Sequence, residues 1–476
     1  MYKPGERKQM KLLPSCIEDY VSTEDPVRVY DAFVDALDFQ ELGIVIDQYK
    51  SGALEYSPKD MLKLIIYGYS YGIRSSRKLE RACYHNLAFI WLMGDLKPDY
   101  RTISRFRSDN KTAIKNVLKQ CVRMCVKLDL VEGNTIFIDG SCFRANASIK
   151  NTWTQERCEK HLKDIDAHID SLIDECEVID RQEESSQSLL KVKKELANKE
   201  ALKAKIQEIA KVVKESGENS YNTVDPDCVK ARSRQGIHAG YNAQIAVDEK
   251  NGLIVNSEAT TSSQDYNQLS GQLEKTTAML EGKPETVVAD AGYYSLKDVA
   301  KVDKDVTVII PSIKQAHQEK THCLKDPFDK EQFKYNQSKD EYVCPRGRRL
   351  KYSNTLSNGA RYYRAKGRHC RVCPNFGICT SSEKGRIITR QKEEELQDTL
   401  RAAYNSPQGQ DIYKLRKEKV ELTFGHFKRN LGAGQFMLRG KHKVDAELAV
   451  LSTCFNIARM ITLIGIPSLI LKLSSA

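Results

Sequence analysis

The sequence predicts an α/β protein in which a mixed-sheet domain is joined to an N-terminal helical domain and carries two insertions. Apolar residues recur at helical spacing through roughly the first 130 residues. Short β-rich runs begin at Thr135, and two segments of different composition interrupt them. A chain of 476 residues also exceeds one ordinary domain at roughly 150 residues each, so several folded units are expected.

The N-terminal region has the composition of a helical, DNA-binding domain. Apolar side chains follow a helical period in Ile17–Leu42, and Asp99 is placed to cap a later helix that carries Arg105 and Arg107. Several short basic helices are typical of a DNA-binding bundle, although a solvated helical face has the same charge pattern. We predict a DNA-binding domain over residues 1–130, with Arg105 and Arg107 contacting DNA.

A mixed α/β domain follows, as residue composition changes at Thr135. Runs rich in β-branched residues predict strands at Thr135–Gly140, Tyr241–Val247, Ile254–Thr260, Thr286–Ala289 and Val306–Ile310. Because two long segments separate these runs, the domain is assembled from three stretches of chain. We place it at residues 131–154, 217–322 and 381–476.

The first insertion, residues 155–216, is long, charged and free of glycine before residue 217. Two apolar series step by three and four, and polar Arg181–Ser188 separates them. This pattern predicts an antiparallel helical hairpin with a coiled-coil-like seam. The hairpin either pairs with a second protomer or covers a face of the domain. The predicted seam comprises Leu162, Ile165, Ile169, Leu172, Cys176 and Ile179, followed by Leu202, Ile206, Ile209 and Val213.

The second insertion, residues 323–380, is rich in cysteine and basic residues. Cys370, Cys373 and Cys379 form a C-x₂-C-x₅-C pattern, and Cys344 precedes them. Four thiolates suit tetrahedral Zn²⁺, so the segment is interpreted as a zinc-ribbon-like module whose arginines contact DNA. The alternative is four buried free cysteines. His322 and Cys323 are candidates to replace one ligand.

Charge and hydropathy exclude several classes of protein. A formal net charge of +11 favours a polyanionic partner, although this signal is weak alone. No apolar core follows the basic N-terminus, and Arg459 and Pro467 interrupt the most apolar stretch, Leu448–Leu471. We therefore expect a cytoplasmic protein with no membrane partner, whose cysteines are reduced.

Three carboxylates are the candidates for catalysis. Asp139 and Asp290 end the predicted strands IFID and TVVAD, and Glu421 lies on a predicted helix, Ile412–Asn430. Lys417 and Lys428 share the Glu421 face at positions −4 and +7. Such oxygen ligands suit two divalent ions that act on phosphodiesters. Among 64 acidic residues, however, spacing alone favours turn-forming aspartates and a glutamate in a solvated ion pair.

The chain resembles bacterial insertion-sequence transposases of the DDE type. Four segments carry the resemblance: LLPSCIEDYV with PDYRTISRFR, IDGSCFRANAS, VVADAGYYS, and YKLRKEKVELTFGHFKRNLGAGQFMLRG. The last is similar to the family's Tyr-Arg-Glu-Lys signature, which falls here on Tyr413, Arg416, Glu421 and Lys428. Four residues separate Arg416 from Glu421, whereas the commonest form of the signature has three.

This resemblance implies an RNase H-like catalytic domain in which Asp139, Asp290 and Glu421 ligate two Mg²⁺ or Mn²⁺ ions. Tyr413, Arg416 and Lys428, with Lys417 beside them, are then expected to contact DNA. The implied reaction is cleavage at the transposon's inverted repeats, followed by attack of the 3′-OH on target DNA. Joining two ends implies a homodimer or a larger synaptic complex, associated with the nucleoid.

The resemblance extends to the Asp225-Pro226-Asp227 segment and the strand after it. Asp225 and His238 are therefore candidate active-site neighbours. The alternatives are that Asp225 caps a turn and that His238 is structural.

Three other functions remain open from the sequence. A metal-dependent nuclease without strand transfer would share the three carboxylates, and a transposase-derived DNA-binding protein would lack catalysis. A zinc-stabilised structural or RNA-binding protein is a more remote third class.

Overall fold

The structure, a computed structural model, describes residues 16–44, 46, 55–181, 186–216, 220–233, 236–321, 327–357 and 359–475. The candidate ligands His322 and Cys323 lie outside the described residues, as does the beginning of the LLPSCIEDYV motif. The side chains of the predicted seam residues Cys176 and Ile179 are also outside this description.

The elements alternate between helices and short strands. The helices are α1 (Val27–Asp35), α2 (Phe39–Leu42), α3 (Pro58–Ser70), α4 (Ser76–His85), α5 (Leu87–Leu92), α6 (Tyr100–Asp109), α7 (Lys111–Lys127), α8 (Gln155–Arg181), α9 (Ser186–Ser216), α10 (Leu269–Leu280), α11 (Leu296–Val299), α12 (Ile313–Thr321), α13 (Gly367–Arg371), α14 (Glu394–Asn405), α15 (Pro407–Arg416), α16 (Leu422–Arg429), α17 (Lys441–Ile464) and α18 (Ile466–Ser474). The strands are β1 (Thr135–Arg144), β2 (Thr152–Trp153), β3 (Tyr221–Asn222), β4 (Val229–Ser233), β5 (Gly236–Asp248), β6 (Ile254–Thr260), β7 (Thr286–Val288), β8 (Thr307–Ile309), β9 (Lys334–Asn336), β10 (Glu341–Val343), β11 (Arg349–Thr355), β12 (Arg361–Ala365) and β13 (Ile387–Arg390).

The chain folds into two compact units. The first unit comprises Met1–Asp265, Glu274–Lys283 and Lys417–Ala476. The second unit comprises Tyr266–Leu273 and Pro284–Arg416. The helices of the predicted DNA-binding domain therefore share a unit with β1, β5 and β6.

The sheet of the first unit is built around the long strand β5. β1 pairs antiparallel with one edge of β5, and β4 and β6 pair antiparallel with the other edge. The sequence prediction located these strands correctly but made β1 and β5 too short, because polar residues continue the β-ladder past Asp139. Asp139 is therefore in the middle of β1 and not at its end.

Helix α17 is the central helix of the first unit. It packs on α7, on α3 and on β6, and Leu448, Leu451 and Ile457 are completely buried. Among the described residues it is the one helix long and apolar enough to cross a membrane, but 61% of its most apolar window is buried inside the protein. Its hydropathy is accounted for by its place in the core.

Side chains of α17 complete the hydrogen bonding of the outer edge of β6. Asn456 accepts a bond from Ile254 N at 2.8 Å and donates one to Ile254 O at 2.8 Å. Asp445 accepts a bond from Ala259 N at 2.9 Å. Because buried backbone groups must be paired, these side chains replace the strand that is absent from this edge.

The helical hairpin is present as predicted, formed by α8 and α9. Its buried seam contains Ile165, Ile206, Ile209 and Val213, and Trp153 packs against its base. Leu172 of the predicted seam is also buried, whereas Leu202, another predicted seam residue, is 44% exposed. The seam prediction was therefore wrong at Leu202.

The second unit contains two separate strand arrangements. β7 and β8 pair in parallel. The strands β9–β13 form an antiparallel sheet in the order β13-β12-β11-β10-β9. We call this sheet and its loops, Lys334–Arg390, the ribbon module. Its core consists of Phe333, Tyr342, Leu350, Tyr363, Ala365 and Ile388.

The edge of β6 can be tested by Asn456→Ala. This change leaves a buried N–H and a buried C=O of Ile254 without partners, which should lower the free energy of unfolding by about 2–4 kcal/mol. Differential scanning fluorimetry and urea unfolding would measure the loss. Thr462→Ala is the control, because Thr462 is an exposed α17 residue whose hydroxyl bonds only to its own helix. An equal effect of both changes would contradict this role of Asn456.

Candidate active site

Asp139 is held on the central part of β1. Side chains alternate along a strand, so Asp139, Ser141 and Phe143 point to one face of the sheet and Gly140 and Cys142 to the other. Asp139 is half-buried, directly opposite Ile245 of β5. Its Oδ1 accepts a hydrogen bond from Gly140 N at 2.9 Å.

The absence of a side chain at Gly140 makes room for a polar cluster on the opposite face. Asn242 Nδ2 and Gln244 Nε2 each donate to Asp265 Oδ1 at 2.7 Å. A Cβ atom at position 140 would lie only 2.2 Å from Asp265 Oδ1 and 2.3 Å from Gln244 Nε2. We call these three residues the amide–carboxylate cluster. It fixes the strand backbone immediately after Asp139.

The helical segment that carries Glu421 contains a π turn. The predicted helix is present as α15, a π turn over Lys417–Glu421, and α16. Val420 and Phe424 are buried whereas Glu421 is exposed. A single π turn inserted in an α-helix is often found at a functional site, since it admits one extra residue.

Lys428 connects this helix to β1. Its Nζ donates to Ser141 Oγ at 2.6 Å and lies 4.8 Å from the centre of the Phe143 ring. Residues seven apart on an α-helix lie on the same side, so Glu421 projects on the side that Lys428 occupies. Ser141 and Asp139 share a face of β1. The structure thus places the Asp139 strand and the Glu421 helix against each other on one face of the first unit.

Asp290 belongs to the second unit. It follows β7 by two residues, close to the strand end where the sequence placed it, and begins a 3₁₀ turn. Its Oδ1 accepts a hydrogen bond from Gly292 N at 2.8 Å, which fixes the carboxylate locally. In the described residues, no group of three or more His, Cys, Asp or Glu side chains is already arranged to hold a metal ion.

The predicted DNA-contacting residues differ in their surroundings. Arg105 and Lys417 are exposed. Arg107 instead donates to Arg74 O at 2.9 Å and to Ser76 Oγ at 2.6 Å, so it also joins α6 to α4. In the second unit, the Tyr413 ring packs edge-on to Tyr404 with centroids 5.1 Å apart, and the Arg416 guanidinium lies 5.8 Å from the Tyr413 ring. Contact of these side chains with DNA stays a prediction.

Asp225 has a structural environment. It is completely buried, and its Oδ1 accepts bonds from Tyr241 Oη at 2.7 Å and from Gly440 N at 3.1 Å. Asp227 accepts a bond from Lys441 N at 2.7 Å. These bonds hold the start of α17, which agrees with the alternative that Asp225 organises a turn.

His238 is half-buried on β5, and neither ring nitrogen has a hydrogen-bond partner among the described residues. Burial lowers the pKa of His238, and the positive charges of Arg144 and Lys428 lower it further. These effects favour the neutral imidazole, and an interaction with the Gly236 backbone opposes them. Its role beside the active site stays a prediction.

Two arrangements near the site were not found from the sequence. Asp265 was missed because its partners Asn242 and Gln244 lie more than 20 residues earlier in the chain, on β5. The buried ion pair of Arg74 and Glu447, with Nη1 and Oε1 2.9 Å apart, joins residues 373 positions apart. No local pattern signals either contact.

Two family models match the chain. Residues 15–109 match the family described as Transposase domain (DUF772), and residues 343–461 match the family described as Transposase DDE domain. The second match includes Glu421, whereas Asp139 and Asp290 lie outside both. No curated protein and no solved structure matches the chain.

The two matches define the class of protein, a transposase with a DDE domain, for which an RNase H-like fold is expected. Both matches are to transposase families, and together they support an insertion-sequence DDE transposase.

The amide–carboxylate cluster can be tested by Gly140→Ala. The added methyl group would displace Asp265 and Gln244, so we expect DNA cleavage to fall at least 100-fold, and the melting temperature to drop. The control is Gly271→Ala, because no atom lies within 4 Å of a Cβ at that helical position. Full cleavage activity in the Gly140→Ala protein would show that the cluster does not position Asp139.

Proposed function

We propose that the protein is a DNA transposase that cleaves the ends of its own element and joins the 3′-OH to target DNA. Membership of the transposase family supports the substrate class. The observation that carries the proposal is the placement of Asp139 and Glu421 on one face of the first unit, with Lys428 between their elements. This arrangement combines acidic and basic groups as phosphodiester chemistry requires.

We further propose that Asp139, Asp290 and Glu421 hold two Mg²⁺ or Mn²⁺ ions. The donor set fits, because hard cations prefer carboxylate oxygens and need few of them from the protein. When bound, such ions activate the attacking oxygen and stabilise the leaving oxygen. Glu421 is exposed and Asp139 half-buried, so both can reach a solvent-accessible site.

The chain's basic groups would hold DNA at this site. Lys428 is positioned by Ser141 and Phe143 next to the Asp139 strand, where its ammonium group can bind the phosphate beside the scissile bond. We assign further phosphate contacts to Arg416, Lys417 and Tyr413. Arg105, exposed on α6, is the corresponding candidate for binding the transposon end.

The π turn supports the assignment of Arg416. In an α-helix residues four apart align, whereas in a π turn residues five apart align. The residue five before Glu421 is Arg416, not Lys417. The additional residue in this chain's signature thus lies in the π turn, which accommodates one extra residue. As a result Lys417 is rotated away from the side of the helix that carries Glu421.

The remaining assignments follow from the reaction. Joining two element ends requires at least two copies of the chain, so we propose a homodimer or larger synaptic complex on DNA. We also propose that the protein acts in the cytoplasm at the bacterial nucleoid.

The decisive experiment uses purified protein, millimolar Mg²⁺ and a labelled duplex made from the DNA end that flanks the coding sequence. Nicking and strand transfer would be compared for wild type, Asp139→Asn, Asp290→Asn and Glu421→Gln. We expect each change to reduce both activities by at least 1000-fold while DNA binding persists, because each removes one ligand charge. The matched control is Glu418→Gln, which changes an exposed carboxylate in the same π turn.

Each alternative function gives a different result. A nuclease would cut without producing joined DNA, and a DNA-binding protein would bind without cutting. Wild-type activity in the Asp290→Asn protein would refute the three-carboxylate site.

The π turn makes a separate prediction. Deleting Glu418 should convert the turn to α-helix and leave three residues between Arg416 and the catalytic glutamate, so cleavage should be retained within about tenfold. Inserting an alanine after Glu418 should instead rotate the helix by about 100° and abolish cleavage. Circular dichroism and the cleavage assay would follow both variants. Equal loss in the two would show that the π turn does not set the register.

A further inference from the structure

The ribbon module encloses a small cavity lined by four cysteines from distant parts of the sequence. Cys344, Cys370, Cys373 and Cys379 all face this cavity, whose volume is about 40 Å³. Each of the four is partly buried and free of disulfide bonds. Cys344, Cys370 and Cys379 also pack against the module's core, so the cavity is continuous with its folded interior.

The backbone around the first cysteine forms a tight turn. Cys344 directly follows β10 and begins this turn, in which Gly347 N donates to Cys344 O at 2.8 Å. Gly347 has a φ of +74°, which favours glycine. The turn directs Arg348 N toward Cys344 Sγ, at 3.3 Å.

The other three cysteines are held by a second set of turns. Cys373 N donates to Cys370 O at 3.0 Å, so both side chains leave a single turn after α13. Cys379 N donates to Asn375 O at 2.9 Å, which closes the loop and returns Cys379 to the cavity. Two separate parts of the module therefore supply one and three thiols, as tetrahedral metal sites commonly require.

The charges around the cavity complement a metal bound to four thiolates. Such a centre with Zn²⁺ carries a formal charge of −2, and the cavity lining includes Arg346, Arg348 and Arg386. The lining contains no aspartate or glutamate, so hard cations such as Mg²⁺ have no suitable ligand there.

The ribbon module is well below the roughly 70–80 residues under which a single core seldom suffices. Its core contains six buried residues, of which two are tyrosines.

We propose that Cys344, Cys370, Cys373 and Cys379 form a tetrahedral structural zinc site that holds the ribbon module together. The site is separate from the carboxylates, and the proposal does not depend on the transposase reaction. Since all four positions are filled by protein, zinc has a structural function here, without an open coordination site for catalysis.

The test begins with the metal content of the full-length protein, purified without chelator. Elemental analysis should find about one zinc per chain. Replacement by Co²⁺ should give the visible bands of tetrahedral cobalt together with thiolate charge-transfer absorption. Cys373→Ser and Cys344→Ser should each lower zinc content at least fivefold and expose the module to limited proteolysis.

Cys16→Ser is the matched control, since Cys16 is exposed and lies in the first unit, and it should retain one zinc. A protein that remains folded by circular dichroism, yet neither contains zinc nor binds added Zn²⁺ or Co²⁺, would overturn the proposal. Full zinc content in the Cys344→Ser, Cys373→Ser double variant would also overturn it. Both outcomes can be measured whether or not the protein cleaves DNA.

Discussion

The buried ion pair between Arg74 and Glu447 is the interaction on which the first unit depends. Glu447 is almost completely buried, and its carboxylate accepts bonds from Arg74, Met437 N and Leu438 N. Arg74 also donates to Gly432 O at 2.6 Å and to Gln435 O at 2.8 Å. Burial raises the pKa of Glu447, and Arg74 and the two amides oppose that rise. Removing one partner of such a pair typically costs about 3–5 kcal/mol.

This pair matters for function because of what it joins. Arg74 lies between α3 and α4, Glu447 lies on α17, and the carbonyl groups belong to the loop that follows α16. The N-terminal helices therefore fix the end of the helix that carries Glu421. From there Lys428 reaches Ser141, and the amide–carboxylate cluster holds the next part of β1 from the other face. Together these contacts set the position of Asp139 relative to Glu421.

Much of this architecture is predictable from the sequence. The helical hairpin and the helix containing Glu421 were located because their apolar residues repeat at helical spacing, and the strand Ile254–Thr260 was located from its composition. The N-cap role of Asp99 was predicted too, and its Oδ1 accepts from Thr102 N at 2.7 Å. The length of β1 was underestimated, since pairing with β5 keeps Ser141 and Cys142 extended despite their polarity.

Other features could not be predicted because they arise only in the folded chain. The hydrogen bonds that Asn456 makes to the edge of β6 come from a helix about 200 residues further along the chain. The π turn was not predicted, because no local pattern in Lys417–Glu421 distinguishes it from an ordinary α-helical turn. The same holds for the candidate sites. Motif order singled out the carboxylates and cysteines, but the turns that direct each side chain became visible only in the structure.

We propose two kinds of metal site in this protein. Carboxylates bind Mg²⁺ or Mn²⁺ at one site, and thiols bind zinc at the other. The central proposal is that Asp139, Asp290 and Glu421 bind metal ions at one centre. The most direct measurement is anomalous diffraction from crystals of the protein bound to a transposon-end duplex in Mn²⁺. We expect two manganese peaks about 3.5–4 Å apart, within ligand distance of all three carboxylates. Manganese bound away from any one of these three residues would contradict it.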